Sequence, residues 1–133
     1  MFLEQIRAAK QWTTWEARIC SFIQEPLENI GKYYSLDSTI AFASIESHYF
    51  QNKGFFPTDD YLLDRNNLKK LRPIPTIIIQ GRYDIVCPPI SAYELWKGLP
   101  HAEFWYAHRA GHVPADEEMI ELLVKATEEF KSL

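Results

Sequence analysis

Cysteine is nearly missing: Cys20 and Cys87 are the only two in 133 residues. Two are too few for a disulfide framework, and they lack the C-x-x-C spacing of a metal site. A reduced, cytoplasmic setting is the expectation. Glycine is also scarce, at five, and the eight prolines are scattered. Collagen-like, low-complexity and disordered readings are thereby excluded. No apolar run approaches the ~18 residues of a membrane-spanning helix. Met1-Phe2-Leu3 leads straight into Glu4 and Arg7, without the apolar stretch of a secretory leader, so no membrane partner is expected. Positive charge is in deficit: 14 Lys and Arg stand against 18 Asp and Glu, a net charge of −4. Phosphate binding needs a basic face, so no nucleic-acid partner is expected either.

Aromatic residues, by contrast, are plentiful. They make up 14% of the chain, within a hydrophobic share of 47%. Such side chains carry large burial area, which predicts a dense core or apolar walls around a ligand. The length suits one domain of ordinary size.

Hydrophobic spacing divides the chain in two. Residues 3–24 read as a helix from Ile6, Ala9, Trp12, Trp15 and Ile19, ended by Pro26. Residues 27–36 are assigned to no element. A second helix is expected at 38–52, capped by Ser38, and a short one at 60–71 after the turn Pro57-Thr58-Asp59-Asp60. From Pro73 the pattern changes. Thr76-Ile77-Ile78-Ile79-Gln80 is a β-branched run without polar alternation, the pattern of a parallel strand covered on both faces. A helix at 90–98, a strand at 102–107 and an amphipathic helix at 116–131 follow. The pairs Glu117-Glu118 and Glu128-Glu129 read as the solvated face of that last helix. The expected organisation is α/β, with a helical portion at 1–72 and a parallel-sheet portion at 73–133. Two parallel strands leave both sheet edges unpaired, so another segment or another chain is expected to complete the sheet.

Ligands of open α/β sheets bind at the carboxyl ends of the strands. Two loops leave such ends: Gly81-Arg82-Tyr83-Asp84, and Ala110-Gly111-His112. One crossover helix and one strand separate them, which makes the loops spatial neighbours. A lone loop Asp is ordinarily a turn former, and a lone His a solvated polar residue. Together, in these loops and in this order, they fit the acid and base of a nucleophilic hydrolase. His108-x-x-x-His112 has the spacing of a metal pair, but it lies in a loop rather than on a helix and has no third ligand in the pattern. No metal and no cofactor is expected.

The blocks Ile45-Glu46-Ser47-His48-Tyr49-Phe50, Asn52, Gly54-Phe55-Phe56, Ile74-Pro75, Gln80 through Asp84 with Cys87-Pro88, and Ala110-Gly111-His112 closely resemble proline iminopeptidase. Ala8-Ala9-Lys10 with Trp12, Trp15 and Glu16 is similar to a segment of that family's cap. The family consists of α/β-hydrolase serine peptidases that remove N-terminal proline from peptides. The resemblance covers nearly all of this chain and the C-terminal two-fifths or so of a family member. It implies the C-terminal portion of an α/β-hydrolase fold preceded by a helical cap segment. It further implies Asp84 as triad acid, His112 as triad base, and Glu16 and Glu46 as holders of the substrate's free amine. Tyr49, Phe50 and Phe55 are then placed to offer apolar surface to a proline ring.

The departures are as informative. No glycine pair frames a serine as G-x-S-x-G, and the HGG-type oxyanion loop is absent. The expectation is therefore a family segment without its nucleophile, inactive alone, with the serine supplied by an upstream portion. Two alternatives stand beside it. One is a non-catalytic remnant acting as a binding or complementation module; the other is a different α/β-hydrolase such as an esterase.

Overall fold

A computed structural model describes residues 2–23, 26 and 35–131. The chain separates into two compact units, Met1–Ile19 with Gln24–Asp59, and Cys20–Ile23 with Asp60–Leu133. Among the described residues, no helix is long and apolar enough to cross a membrane.

The first unit holds most of α1 (Phe2–Cys20) and all of α2 (Leu36–Gln51). Helix α1 was expected to run to 24 but stops at Cys20. The Cys20 carbonyl, freed at the helix end, accepts the backbone N–H groups of His112 and Val113. The cap of α2 is also displaced from expectation. Ser35, not Ser38, is the N-cap, its Oγ accepting the Ser38 N–H at 3.1 Å. Of the stretch 27–36 left unassigned, 27–34 lie outside the described residues. Beyond α2, Lys53, Gly54 and Phe55 form a tight turn with φ of 51°, 63° and 62°. Only the glycine takes that left-handed backbone without cost.

The second unit holds α3 (Arg65–Leu71), β1 (Ile77–Gly81), α4 (Pro89–Gly98), β2 (Glu103–Ala107) and α5 (Glu117–Phe130). The helix expected at 60–71 is broken: Tyr61–Leu63 is a 3-10 turn, and α3 begins only after Asp64. The Asp64 carboxylate accepts the N–H of Asn66 at 2.8 Å and caps the new helix. Strands β1 and β2 pair in parallel, from Ile77 opposite Glu103 to Gly81 opposite Ala107.

Successive β1 side chains point to opposite faces of the sheet, and each face carries its own apolar cluster. Ile78 packs with Leu68, Leu99 and Ala102; Ile79 packs with Ala107, Ala110 and Met119. That double coverage is why the strand shows no polar alternation. The three isoleucines are nonetheless only half-buried, because among the described residues the sheet has two strands. The first cluster also draws residues 60–72 into the second unit through Leu68. The division of contacts therefore falls at 59/60, rather than at the 72/73 boundary drawn from composition.

Candidate active site

Each strand leads from its carboxyl end into a loop that carries one candidate side chain, Asp84 after β1 and His112 after β2. After β1 the chain turns so that Asp84 is buried, with both carboxylate oxygens engaged. Oδ1 accepts the N–H groups of Val86 at 3.0 Å and Cys87 at 2.8 Å. Oδ2 accepts the Gln80 amide at 3.5 Å and lies 3.0 Å from His112 Nδ1. A carboxylate can only accept, so Nδ1 carries the proton of this contact, and in the neutral imidazole Nε2 then keeps its lone pair. The Asp84 side chain is 8% exposed and that of His112 38%. The carboxylate is thus enclosed while the imidazole stays open to solvent. The structure brings together these two residues, 28 positions apart.

The loops are held in register by their backbones. Arg82 N–H donates to Ala107 O at 2.9 Å, and Tyr83 N–H to Ala110 O at 3.0 Å. Gly81 lies against the His112 loop so closely that a Cβ would collide with the carbonyl of Gly111. A side chain there would force the two loops apart.

Several participants were not found by sequence reasoning. Gln80 is buried, and its amide also donates to the carbonyls of Gly81 at 3.1 Å and Cys87 at 3.2 Å. Its signal was available: a polar residue closing an Ile-Ile-Ile run. Glu118, on the solvated face of α5, also has a structural partner. Its Oε2 accepts the Arg109 N–H at 2.6 Å. Backbone hydrogen bonds from His108 and then Arg109 hold its carboxyl below the ordinary value. Cys87 is exposed as a residue, but partial desolvation of its thiol, and then the Asp84 charge, push the thiol pKa above its ordinary value.

The other expected site residues lie in the first unit. Glu46 is half-buried and accepts the indole N–H of Trp12 on Oε2 at 2.8 Å. Glu16 is half-buried on α1, one turn beyond Trp12 and on the same face. The Trp12 ring lies 5.9 Å from Trp15 and 6.0 Å from Phe50. A cleft of about 250 Å³ beside it is lined by Ala8, Ala9, Trp12, Ala43 and Ser47. Tyr49 and Phe55 form a separate set, edge to face at 5.4 Å, with His48 5.3 Å from Phe55. Phe50 is thus grouped with the Glu46 partner Trp12, whereas Tyr49 and Phe55 pair with each other. Among the described residues, no three His, Cys, Asp or Glu side chains gather as a metal site.

No family model matches the chain. Individual proteins do. It is 45% identical over 129 residues to a protein of Arabidopsis thaliana named proline iminopeptidase, covering 97% of this chain and 33% of that protein. To the probable proline iminopeptidase of Leptolyngbya boryana it is 43% identical, covering 92% of this chain and 37% of the relative. To the proline iminopeptidase of Xanthomonas citri it is 37% identical, with 95% and 39% covered. The chain is homologous to a C-terminal part of the proline iminopeptidases. It spans between a third and two-fifths of the length of these curated relatives. Its α/β architecture is accordingly the C-terminal part of the α/β-hydrolase fold of proline iminopeptidases.

Proposed function

We propose that this chain carries the acid–base pair and the amine-binding carboxylates of a cytoplasmic serine peptidase that releases N-terminal proline from peptides. The observation that carries the reading is the 3.0 Å contact of Asp84 and His112 at the ends of adjacent parallel strands. Acid precedes base along the chain, as in α/β-hydrolases, and the relatives are named proline iminopeptidases.

In this scheme His112 Nε2 takes the proton of a serine hydroxyl as the oxygen attacks the prolyl carbonyl. It then returns the proton to the leaving amine. Asp84 holds Nδ1–H, fixing the tautomer and stabilising the imidazolium that forms. Glu16 and Glu46 accept the protonated pyrrolidine nitrogen, since two carboxylates favour a cation between them. Trp12 donates to Glu46 Oε2, and in this scheme the substrate amine is held on Oε1. Phe50, Tyr49 and Phe55 supply apolar surface for the ring. An esterase fits less well, because a neutral ester offers no amine for the glutamates.

The nucleophile and the oxyanion donors come from outside these residues. Alone, the chain therefore performs no hydrolysis, for without a nucleophile there is no covalent path. Among the described residues the sheet has two strands, which supports a complementation role as well: the outer edge of β1 is suited to take a further strand.

A chimaera tests the reading. This chain replaces the matching segment of the Arabidopsis relative, and release of arylamine from a proline arylamide is measured. The chimaera turns over, its His112→Ala form does not, and the 133-residue chain by itself is silent. A folded chimaera without activity on proline arylamide overturns the assignment. Turnover by the bare chain overturns the external nucleophile.

A further inference from the structure

Asp116 stands at the N-cap of α5, yet its side chain makes no capping bond to that helix. Aspartate is favoured at N-caps because its carboxylate satisfies the helix's own orphan N–H groups. Here the carboxylate is turned elsewhere. Oδ2 accepts the Gly111 N–H at 2.6 Å and the Phe22 N–H at 3.3 Å. One oxygen thus ties the residue before His112 to the segment Cys20–Ile23. The Cys20 carbonyl completes the stitch from the other side by accepting the N–H groups of His112 itself and of Val113. Gly111 fits between them only because it has no side chain. A Cβ would run into the Cys20 carbonyl and lie 3.0 Å from Phe22 N.

We propose that Asp116 is a positioning residue for His112: by holding the Gly111 N–H it sets the loop conformation that places Nδ1 on Asp84. The role rests on His112 being the base of the proposed peptidase. The geometry explains why an acidic residue is suited to the place. Two backbone donors converge on one oxygen, and a charged acceptor holds such donors more strongly than a neutral one. Glu118, two residues on, holds Arg109 N–H at 2.6 Å in the same way. The β2–α5 loop is thus tied back to the start of the helix that follows it. Glu118, however, contacts the far end of that loop, and Asp116 the residue adjoining the imidazole.

The test is made on the full 133-residue chain by NMR, reading the imidazole Nδ1–H resonance of His112 and the amide exchange of Gly111. In Asp116→Ala the downfield Nδ1–H signal is lost, and Gly111 exchange accelerates on the order of 10- to 100-fold. Exchange within β1, β2 and the middle of α5 stays as in the parent chain. Asp116→Asn keeps an acceptor oxygen without the charge, so it retains the signal and shows a smaller acceleration. Parent-like Nδ1–H and Gly111 behaviour in Asp116→Ala overturns the proposal. So does equal acceleration throughout the unit, which makes Asp116 a general stabiliser. If Asp116→Ala fails to fold, Asp116→Asn decides, since unchanged Gly111 exchange there also overturns it. Neither readout depends on turnover. An inactive chimaera would remove the peptidase reading while these measurements still stood.

Discussion

Asp84 takes four donors on two oxygens, and three of them belong to its own loop or to the strand before it. The carboxylate is thus held by its own loop and strand independently of His112. The same charge reaches Cys87, whose thiol is pushed up first by burial and then by Asp84. Alkylation follows the thiolate, so a raised value delays reaction with iodoacetamide to higher pH. Asp84→Asn keeps an acceptor oxygen for the Val86 and Cys87 amides but removes the charge. The pH–rate inflection of Cys87 alkylation should move down, with buried Cys20 silent throughout. An unmoved inflection would show that Asp84 is not felt at the thiol. At Glu46 the expected change is in substrate recognition. Glu46→Gln preserves the shape and the Trp12 contact while removing the charge proposed to hold the amine. A charge-assisted hydrogen bond contributes roughly 1.5–3 kcal/mol. In the chimaera, kcat/KM for proline arylamide should fall on the order of 10- to 100-fold. The N-acetylated substrate has no cation and should be nearly indifferent, whereas His112→Ala depresses both. Equal losses for the two substrates would make Glu46 structural.

Elements were legible where their signal is local. The β-branched run, the parallel order and the two loops that end in Asp84 and His112 follow from composition and spacing alone. Helix ends were not, because tertiary partners choose them. Helix α1 ends where the Cys20 carbonyl is needed by the His112 loop, and α3 starts where Asp64 rather than Asp60 finds free N–H groups. Gln80, Asp116 and Glu118 were missed for a related reason. Each is a polar residue with at least one backbone partner, Cys87, Gly111 or Arg109, that only folding brings near. The break after α2 is legible from Gly54, but the left-handed backbone of its neighbours Lys53 and Phe55 in that turn is not. Lys53 holds a positive φ there at a cost of roughly 1–2 kcal/mol for a non-glycine residue. Its contact with Asp59 at 3.7 Å is solvent-exposed and worth little. Lys53→Gly should therefore raise the thermal midpoint by calorimetry. A lowered midpoint would mean that the exposed ion pair, or the glycine's unfolded-state entropy, outweighs the relieved backbone.

At the scale of the whole molecule, an apolar parallel pair lacks a neighbour on the outer side of β1 among the described residues. Parallel pairing assigns that side residue by residue. Glu103 N–H donates to Thr76 O at 3.0 Å, and Arg82 N–H to Ala107 O at 2.9 Å. With Ile77 opposite Glu103, the even-numbered residues 76 to 82 therefore face β2. Ile77, Ile79 and Gly81 turn their N–H groups outward. An edge of that kind is a template for another strand. In the proposed whole enzyme that strand comes from the rest of the peptidase; in the bare chain a second copy is the available source. Sedimentation velocity should then show species heavier than the 15.6 kDa monomer as concentration rises. Ile77→Pro separates this edge from other sticky surfaces. Proline has no N–H to offer outward, suits the first residue of an edge strand, and sacrifices no bond to β2. Ile77 also belongs to neither apolar cluster, so both clusters keep their members. The variant should keep the parent circular dichroism and sediment as a monomer over the same range. Association undiminished in Ile77→Pro would place the contact on another surface, and a parent chain that stays monomeric would leave the edge satisfied without a partner strand.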